Sequence, residues 1–228
     1  MPYFYFDYSY LVLIPAMLFA LIAQGMVNSA FTKYNKVVTR CNMTGADAAR
    51  LILDRNGLHH VKIEQVAGNL TDHFDPRTNV IRLSQSVYGS TGIAAVGVAA
   101  HEAGHAVQYA QGYKPMKIRS AIIPATNIGS RLALPIFLIG LLFSYQLAMF
   151  GIILFSLTAV FQAVTLPVEF NASRRAMEAL DNSAQLTSDE LNGAKKVLTA
   201  AAMTYVAALA TALSQILRLL LIANRRRD

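Results

Sequence analysis

His101-Glu102-Ala103-Gly104-His105 brings two imidazoles and a carboxylate together in one short stretch. Residues four apart share a helix face, so on a helix both imidazoles can reach a single metal ion. Zinc is the expected metal, one ion per chain. Two His and one further protein ligand leave a fourth position for water, whose pKa zinc lowers to roughly 7. Glu102 follows the first His directly and can lean toward that water, taking its proton and passing it to a leaving group. His101 and His105 therefore read as metal ligands and Glu102 as the general base.

Residue types alone leave the third ligand open among His59, His60, His73, Cys41 and the remaining carboxylates. Glu169 stands out. It lies in Pro167-Val-Glu-Phe-Asn171, read as a helix start directly after a long apolar region, where an unpaired carboxylate is costly. The competing reading is a favourable acidic charge at a helix N-terminus.

The elements that must carry these residues are largely apolar. Hydrophobic residues make up 54% of the 228-residue chain and charged ones 14%, and none of Lys, Arg, Asp, Glu or His falls between Arg131 and Glu169. That is the composition of a membrane protein. A net charge of +7 does not point to nucleic acid, because the basic residues cluster at the ends of apolar segments and not in a stripe interleaved with aromatics. The single Cys41 excludes an internal disulfide, fits a reducing compartment, and reads as inert.

Residues 8–27 read as an uncleaved membrane anchor, since Asp7 precedes the segment and Lys33, Lys36 and Arg40 follow it. Residues 132–166 must cross twice if Glu169 is to meet His105. One helix of about 35 residues would be roughly 52 Å long, too long for a 30 Å hydrocarbon core, so a hairpin turning near Ser144-Tyr145-Gln146 is expected. Lys114, Lys117, Arg119 and Arg131 before it, and Arg174 and Arg175 after it, place both ends in the cytoplasm. A helix over 167–185 carries Glu169. The last apolar run, 197–223, either crosses against the rule, leaving Arg225, Arg226 and Arg227 outside, or stays on the membrane surface. Gln215 and Arg218 lie within it.

Residues 44–120 read as a small α+β unit. Thr44-Gly-Ala-Asp47 is a capping box opening a helix that Gly57 closes. Val61–Val66 and Asn79–Leu83 alternate apolar and polar residues around the turn Asp75-Pro76-Arg77-Thr78-Asn79, and so predict a β-hairpin. Ser90 reads as the cap of a core helix from about Gly92 to Ala110 that carries the histidines, and Thr187-Ser-Asp-Glu190 as a second capping box. Asn79–Ser84, the strand nearest the histidine helix in sequence, is taken as an open edge of the sheet. The fold class is thus mainly α: a multi-pass helical membrane protein with a small cytoplasmic α+β (hairpin) unit.

Thr71-Asp-His-Phe-Asp-Pro-Arg77, Val80-Ile-Arg-Leu-Ser84, Val98-Ala-Ala-His-Glu-Ala-Gly-His-Ala-Val-Gln108 and Pro167-Val-Glu-Phe-Asn-Ala-Ser-Arg-Arg-Ala176 resemble the neutral zinc metallopeptidases of bacterial membranes, from Tyr10 to Arg227. The resemblance implies a gluzincin-like site: His101 and His105 match the helix ligands, Glu102 the catalytic glutamate and Glu169 the downstream ligand. It implies a membrane endopeptidase whose partners are a peptide or protein substrate and the lipid bilayer, with no nucleic acid. The oligomeric state stays open. Two rivals remain: a non-catalytic zinc-binding scaffold or assembly protein, and an intramembrane, site-2-type protease. Glu102 counts against the first, because binding alone needs no base. The soluble segment counts against the second.

Overall fold

The computed structural model describes residues 8–225; Asp7, Arg226 and Arg227, used above for orientation, lie outside them. A 3₁₀ turn at Tyr8–Val12 leads into helix α1 (Ile14–Asn35), followed by α2 (Gly45–Arg55), β1 (Lys62–Val66), β2 (His73–Asp75), β3 (Val80–Ser84) and the short α3 (Gln85–Tyr88). Then come α4 (Ile93–Ala110), α5 (Lys114–Phe143), α6 (Tyr145–Asp181) and α7 (Ser188–Asn224). The architecture is mainly α with one small sheet, as expected.

The chain forms two compact units. One takes the described residues up to Ala23, Ile118–Leu166, and those from Thr204 onward. The helices contributing to it, α1, α5, α6 and α7, are each long and apolar enough to cross a membrane. Their outward faces carry Leu21, Ile128, Leu142 and Ile153, the reverse of a water-soluble helix. Inside, Phe137, Ala148, Ile152, Leu219 and Ala223 form a small core. The break between α5 and α6 falls at Ser144, where the hairpin was expected to turn. Arg218 is accommodated by the N-terminal turn: its guanidinium lies 3.9 Å from the Tyr10 ring centre, and its Nε donates to Ser9 Oγ at 3.4 Å.

The other unit comprises Gln24–Lys117 and Pro167–Met203. Thr44 caps α2 through the reciprocal bonds of a capping box with Asp47, and α2 lays Ile52 and Leu53 against α4 in the main core. Ile81 and Leu83 of β3 and Val87 of α3 complete that core. Thr187 and Glu190 form the second capping box at the start of α7.

The structure corrects several expectations. The sheet has the order β1-β3-β2, with β1 parallel and β2 antiparallel to β3. Val61–Val66 and Asn79–Leu83 are therefore not a hairpin. The Asp75–Asn79 turn joins β2 to β3 instead, and at three residues β2 is too short to show alternation in the sequence. Asn79–Ser84 is consequently not an edge: β3 is the central strand, with Val80, Ile81, Leu83 and Ser84 all buried. The α4 cap is Gly92, not Ser90, whose Oγ accepts from the Gly92 N–H. No helix begins at Pro167. The helix expected over 167–185 is the second half of α6, and Pro167 is tolerated inside it; likewise 197–223 is part of the unbroken α7.

The α5–α6 hairpin depends on close backbone approach. A Cβ at Gly151 would lie 2.6 Å from the backbone nitrogen of Phe137, whereas one at Gly25 would meet nothing within 4 Å. Gly151→Val should therefore cost about 1–3 kcal/mol by overpacking and lower the melting temperature in detergent by several degrees. Gly25→Ala should leave the melting temperature unchanged or raise it slightly.

Candidate metal centre

α4 is buried on nearly all sides, and its Ala and Gly residues let neighbouring helices come close. At Gly104 the approach is closest: a Cβ there would lie 2.6 Å from the carbonyl oxygen of Ala172 on α6. A side chain at this position would push α6 away. The contact brings α6 residues 169 to 173 level with the two histidines.

His101 Nε2 lies 3.2 Å and His105 Nε2 3.4 Å from the same oxygen, Glu169 Oε2. The two rings stand nearly perpendicular, with centroids 4.6 Å apart. Glu169 is only 3% exposed. His101, His105 and Glu169 form a set whose ligand atoms lie within 4.8 Å of one another, able to hold a metal ion. Glu169 is thus mid-helix and not an N-terminal charge, which removes the competing reading of its role.

The outer nitrogens of both rings are engaged. His101 Nδ1 lies 3.0 Å from Ser173 Oγ, one helical turn beyond Glu169. His105 Nδ1 lies 3.0 Å from Gln108 Oε1. Gln108 is fully buried, and its Nε2 donates to the carbonyl of Val168 at 2.8 Å and to Asn171 Oδ1 at 2.9 Å. A backbone carbonyl can only accept, so the amide orientation of Gln108 is fixed with Oε1 toward His105. His105 Nδ1 must therefore carry the hydrogen. Its Nε2 is then a lone pair facing a carboxylate oxygen, and those two atoms repel unless a proton or a cation sits between them. Arg175 extends the network, donating to Asn171 Oδ1 at 2.7 Å and Gln111 Oε1 at 2.6 Å.

Charge leads to the same requirement. Burial disfavours a charged His105 imidazole, but the hydrogen bond to Glu169 and the charges of Glu102 and Glu169 outweigh it and raise the pKa above the ordinary value. A divalent cation supplies the same compensation for the Glu169 carboxylate buried between two neutral imidazoles. The donor set, two imidazole nitrogens and a carboxylate oxygen with the outer nitrogens held, fits zinc.

Glu102 is buried and stands outside the trio of possible ligands. Its Oε2 accepts the backbone N–H of Phe74 at 2.9 Å. That N–H belongs to β2 and is turned away from β3. Phe74 also packs on Tyr109 of α4, ring centres 5.9 Å apart. Asp72, beside it, is partly buried; desolvation raises its pKa, against hydrogen bonds from Ser84 that lower it and a nearby Glu102 that adds to the rise.

The alternative third ligands are not in the trio. His59 is exposed and paired with Asp54, His73 is exposed with Nδ1 against the carbonyl of Thr71, and His60 and Cys41 are exposed. Gln108, Asn171 and Ser173 went unassigned on sequence. A signal was present: Gln108 is a polar residue on a buried face three positions after His105, and Ser173 follows Glu169 by four.

The family model described as "Putative neutral zinc metallopeptidase" matches residues 9–224. A relative, the "Putative membrane protease YugP" of Bacillus subtilis (strain 168), is 47% identical over 207 residues, covering 90% of this chain and 92% of that protein. No solved structure matches the chain.

Metal binding at the trio must displace the proton that His105 would otherwise hold. Zinc affinity, measured by competition with a fluorescent chelator, should therefore weaken as the pH falls. Because the His105 pKa is raised, the decline should begin at a pH above the ordinary imidazole value of about 6.5. Affinity that stays flat from pH 8 to 6 would rule out competition at this residue.

Proposed function

The chain belongs to the family of putative neutral zinc metallopeptidases, and from that premise we propose that it is a zinc-dependent membrane endopeptidase in which His101, His105 and Glu169 hold one zinc ion and Glu102 is the general base. The observation that carries this reading is the His105 lone pair turned onto a buried carboxylate oxygen that also faces His101. Zinc, when bound, supplies Lewis acidity toward a peptide carbonyl and toward water.

The rest falls to the chain's own groups. Ser173 and Gln108 orient the two imidazoles. Glu102 takes the proton of the attacking water on a carboxylate oxygen and returns it to the leaving amine as the C–N bond breaks. Substrate is held by β2. It is an outer strand of the sheet and contacts α4; with the Phe74 N–H engaged by Glu102, the outward carbonyl of Phe74 is the group left on its rim to accept from the backbone of an extended peptide.

Two observations weigh against the rivals. The trio, Glu102 and the sheet all belong to the same unit, Gln24–Lys117 with Pro167–Met203, which argues against an intramembrane protease. A buried carboxylate beside the trio, supported by a backbone amide, serves no purpose in a zinc scaffold. Glu102→Gln should lower the hydrolysis of an unfolded test protein by 10²–10⁴-fold while zinc content stays at one per chain. Glu169→Ala should lower the zinc content itself. Unchanged turnover in Glu102→Gln would refute the catalytic reading.

We place the site on the cytoplasmic side, because Lys33, Lys36, Arg40, Lys114, Lys117, Arg174, Arg175, Lys195 and Lys196 all fall in the unit that carries it. Arg225 is a countervailing charge at the far end of α7, but short loops near the first spans dominate orientation. A topology reporter after Lys36 or after Arg175 should read cytoplasmic and one at Ser144 external. An external signal after Arg175 would reverse the assignment.

A further inference from the structure

A strand of three residues has too few ladder bonds to hold its own register. β2 is held at both ends by side chains. After it, Asp75 accepts from the Arg77 N–H at 2.9 Å, the Thr78 hydroxyl at 2.8 Å and Arg82 Nη1 at 3.0 Å, which closes the turn into β3. Before it, Asp72 Oδ1 accepts the Ser84 N–H at 2.7 Å, and the Ser84 hydroxyl lies 3.1 Å from both Asp72 oxygens.

Ser84 is the last residue of β3, fully buried, and the strand pairing runs only from His73 opposite Arg82 to Asp75 opposite Val80. The Asp72 carboxylate therefore extends the ladder past the point where backbone pairing stops. Between the two aspartates, Phe74 is the one β2 residue whose N–H is turned out of the sheet, and it ends on Glu102 Oε2. A slip of one residue would turn that N–H into the sheet and away from Glu102.

Resting on the reading of Glu102 as general base, we propose that Asp72 is a positioning residue for the reaction: by clamping Ser84 it fixes the β2 register that holds the Glu102 carboxylate through the Phe74 amide. Asp72 does not touch the substrate and moves no proton. Its role is that of an acceptor, so an amide oxygen can replace it. An acid, a base or an electrostatic role would need the carboxylate itself.

The test uses the full-length, zinc-loaded protein in detergent, with Asp72→Ala, Asp72→Asn and Glu102→Gln beside the parent. Asp72→Ala should lower kcat about 10–100-fold, with KM within about threefold and zinc content unchanged. Amide exchange in the segment 73–75 should quicken at least about tenfold in the same variant. Asp72→Asn, whose Oδ1 can still accept from Ser84, should bring both kcat and exchange back to within about threefold of the parent.

Asp72→Asn as damaging as Asp72→Ala would overturn the clamp, and so would normal kcat and exchange in Asp72→Ala. If Asp72→Ala does not fold, Ser84→Ala removes only the hydroxyl contacts; it should quicken exchange at 73–75 and lower kcat by a smaller factor, and no change in either would count against the proposal. Loss of the peptidase reading would look different: parent and Glu102→Gln would be equally inactive, while the exchange comparison would still decide whether Asp72 holds β2.

Discussion

A carboxylate buried between two imidazoles is the constraint on which the rest of the molecule turns. Glu169 has almost no access to water, and both histidine Nε2 atoms converge on one of its oxygens. Such an arrangement is costly unless positive charge occupies the middle. Gln108 makes the requirement strict: with its own amide hydrogens committed to Val168 and Asn171, it leaves His105 no tautomer that could hydrogen-bond Glu169 without taking up a second proton. The polypeptide has built a place that must hold either an extra proton or a metal ion.

Much of the architecture follows from delivering Glu169 to that place. It travels on α6, in the stretch from Pro167 onward that belongs to the same compact unit as α4. Pro167 lies two residues earlier and has no N–H for the carbonyl one turn back, a weak point in any helix. The turn that follows is tied to its neighbours, since Tyr113 donates to the Pro167 carbonyl at 3.4 Å and Gln108 to that of Val168. Gly104 then lets α4 come within backbone distance of Ala172. The same helix that supplies both imidazoles thus also supplies the glycine and the glutamine that fix their partner.

What could be read from the sequence, and what could not, divides by the range of the interaction. His101, Glu102 and His105 declare themselves through a four-residue spacing on one helix, and the capping boxes at Thr44 and Thr187 are equally local. The apolar hairpin was legible because the bilayer imposes a length. The strand order was not. Parallel pairing of β1 with β3 is a long-range choice that alternation within each strand leaves open, and β2 is too short to alternate at all. Glu169 stands out in the sequence for the cost of a buried charge, but Pro167 reads locally as a helix start, whereas the continuity of α6 depends on packing. The amide orientation of Gln108 is set by Val168 and Asn171, and Ser173 meets His101, all partners sixty or more positions away.

The strand order carries a consequence for the chemistry. Had β1 and β3 formed the expected hairpin, β3 would have been an edge and its own backbone the open rim. With β3 central, its apolar side chains are free to pack the core beneath α4, and the rim passes to β2, a strand with nothing to bury except Phe74. The shortest strand has an aspartate at each end: an outer strand of three residues gains little stability from packing, and its register comes from the hydrogen bonds of Asp72 and Asp75. The one backbone amide that this register turns outward is the one that reaches Glu102, so the sheet edge and α4 are aligned by the same bond.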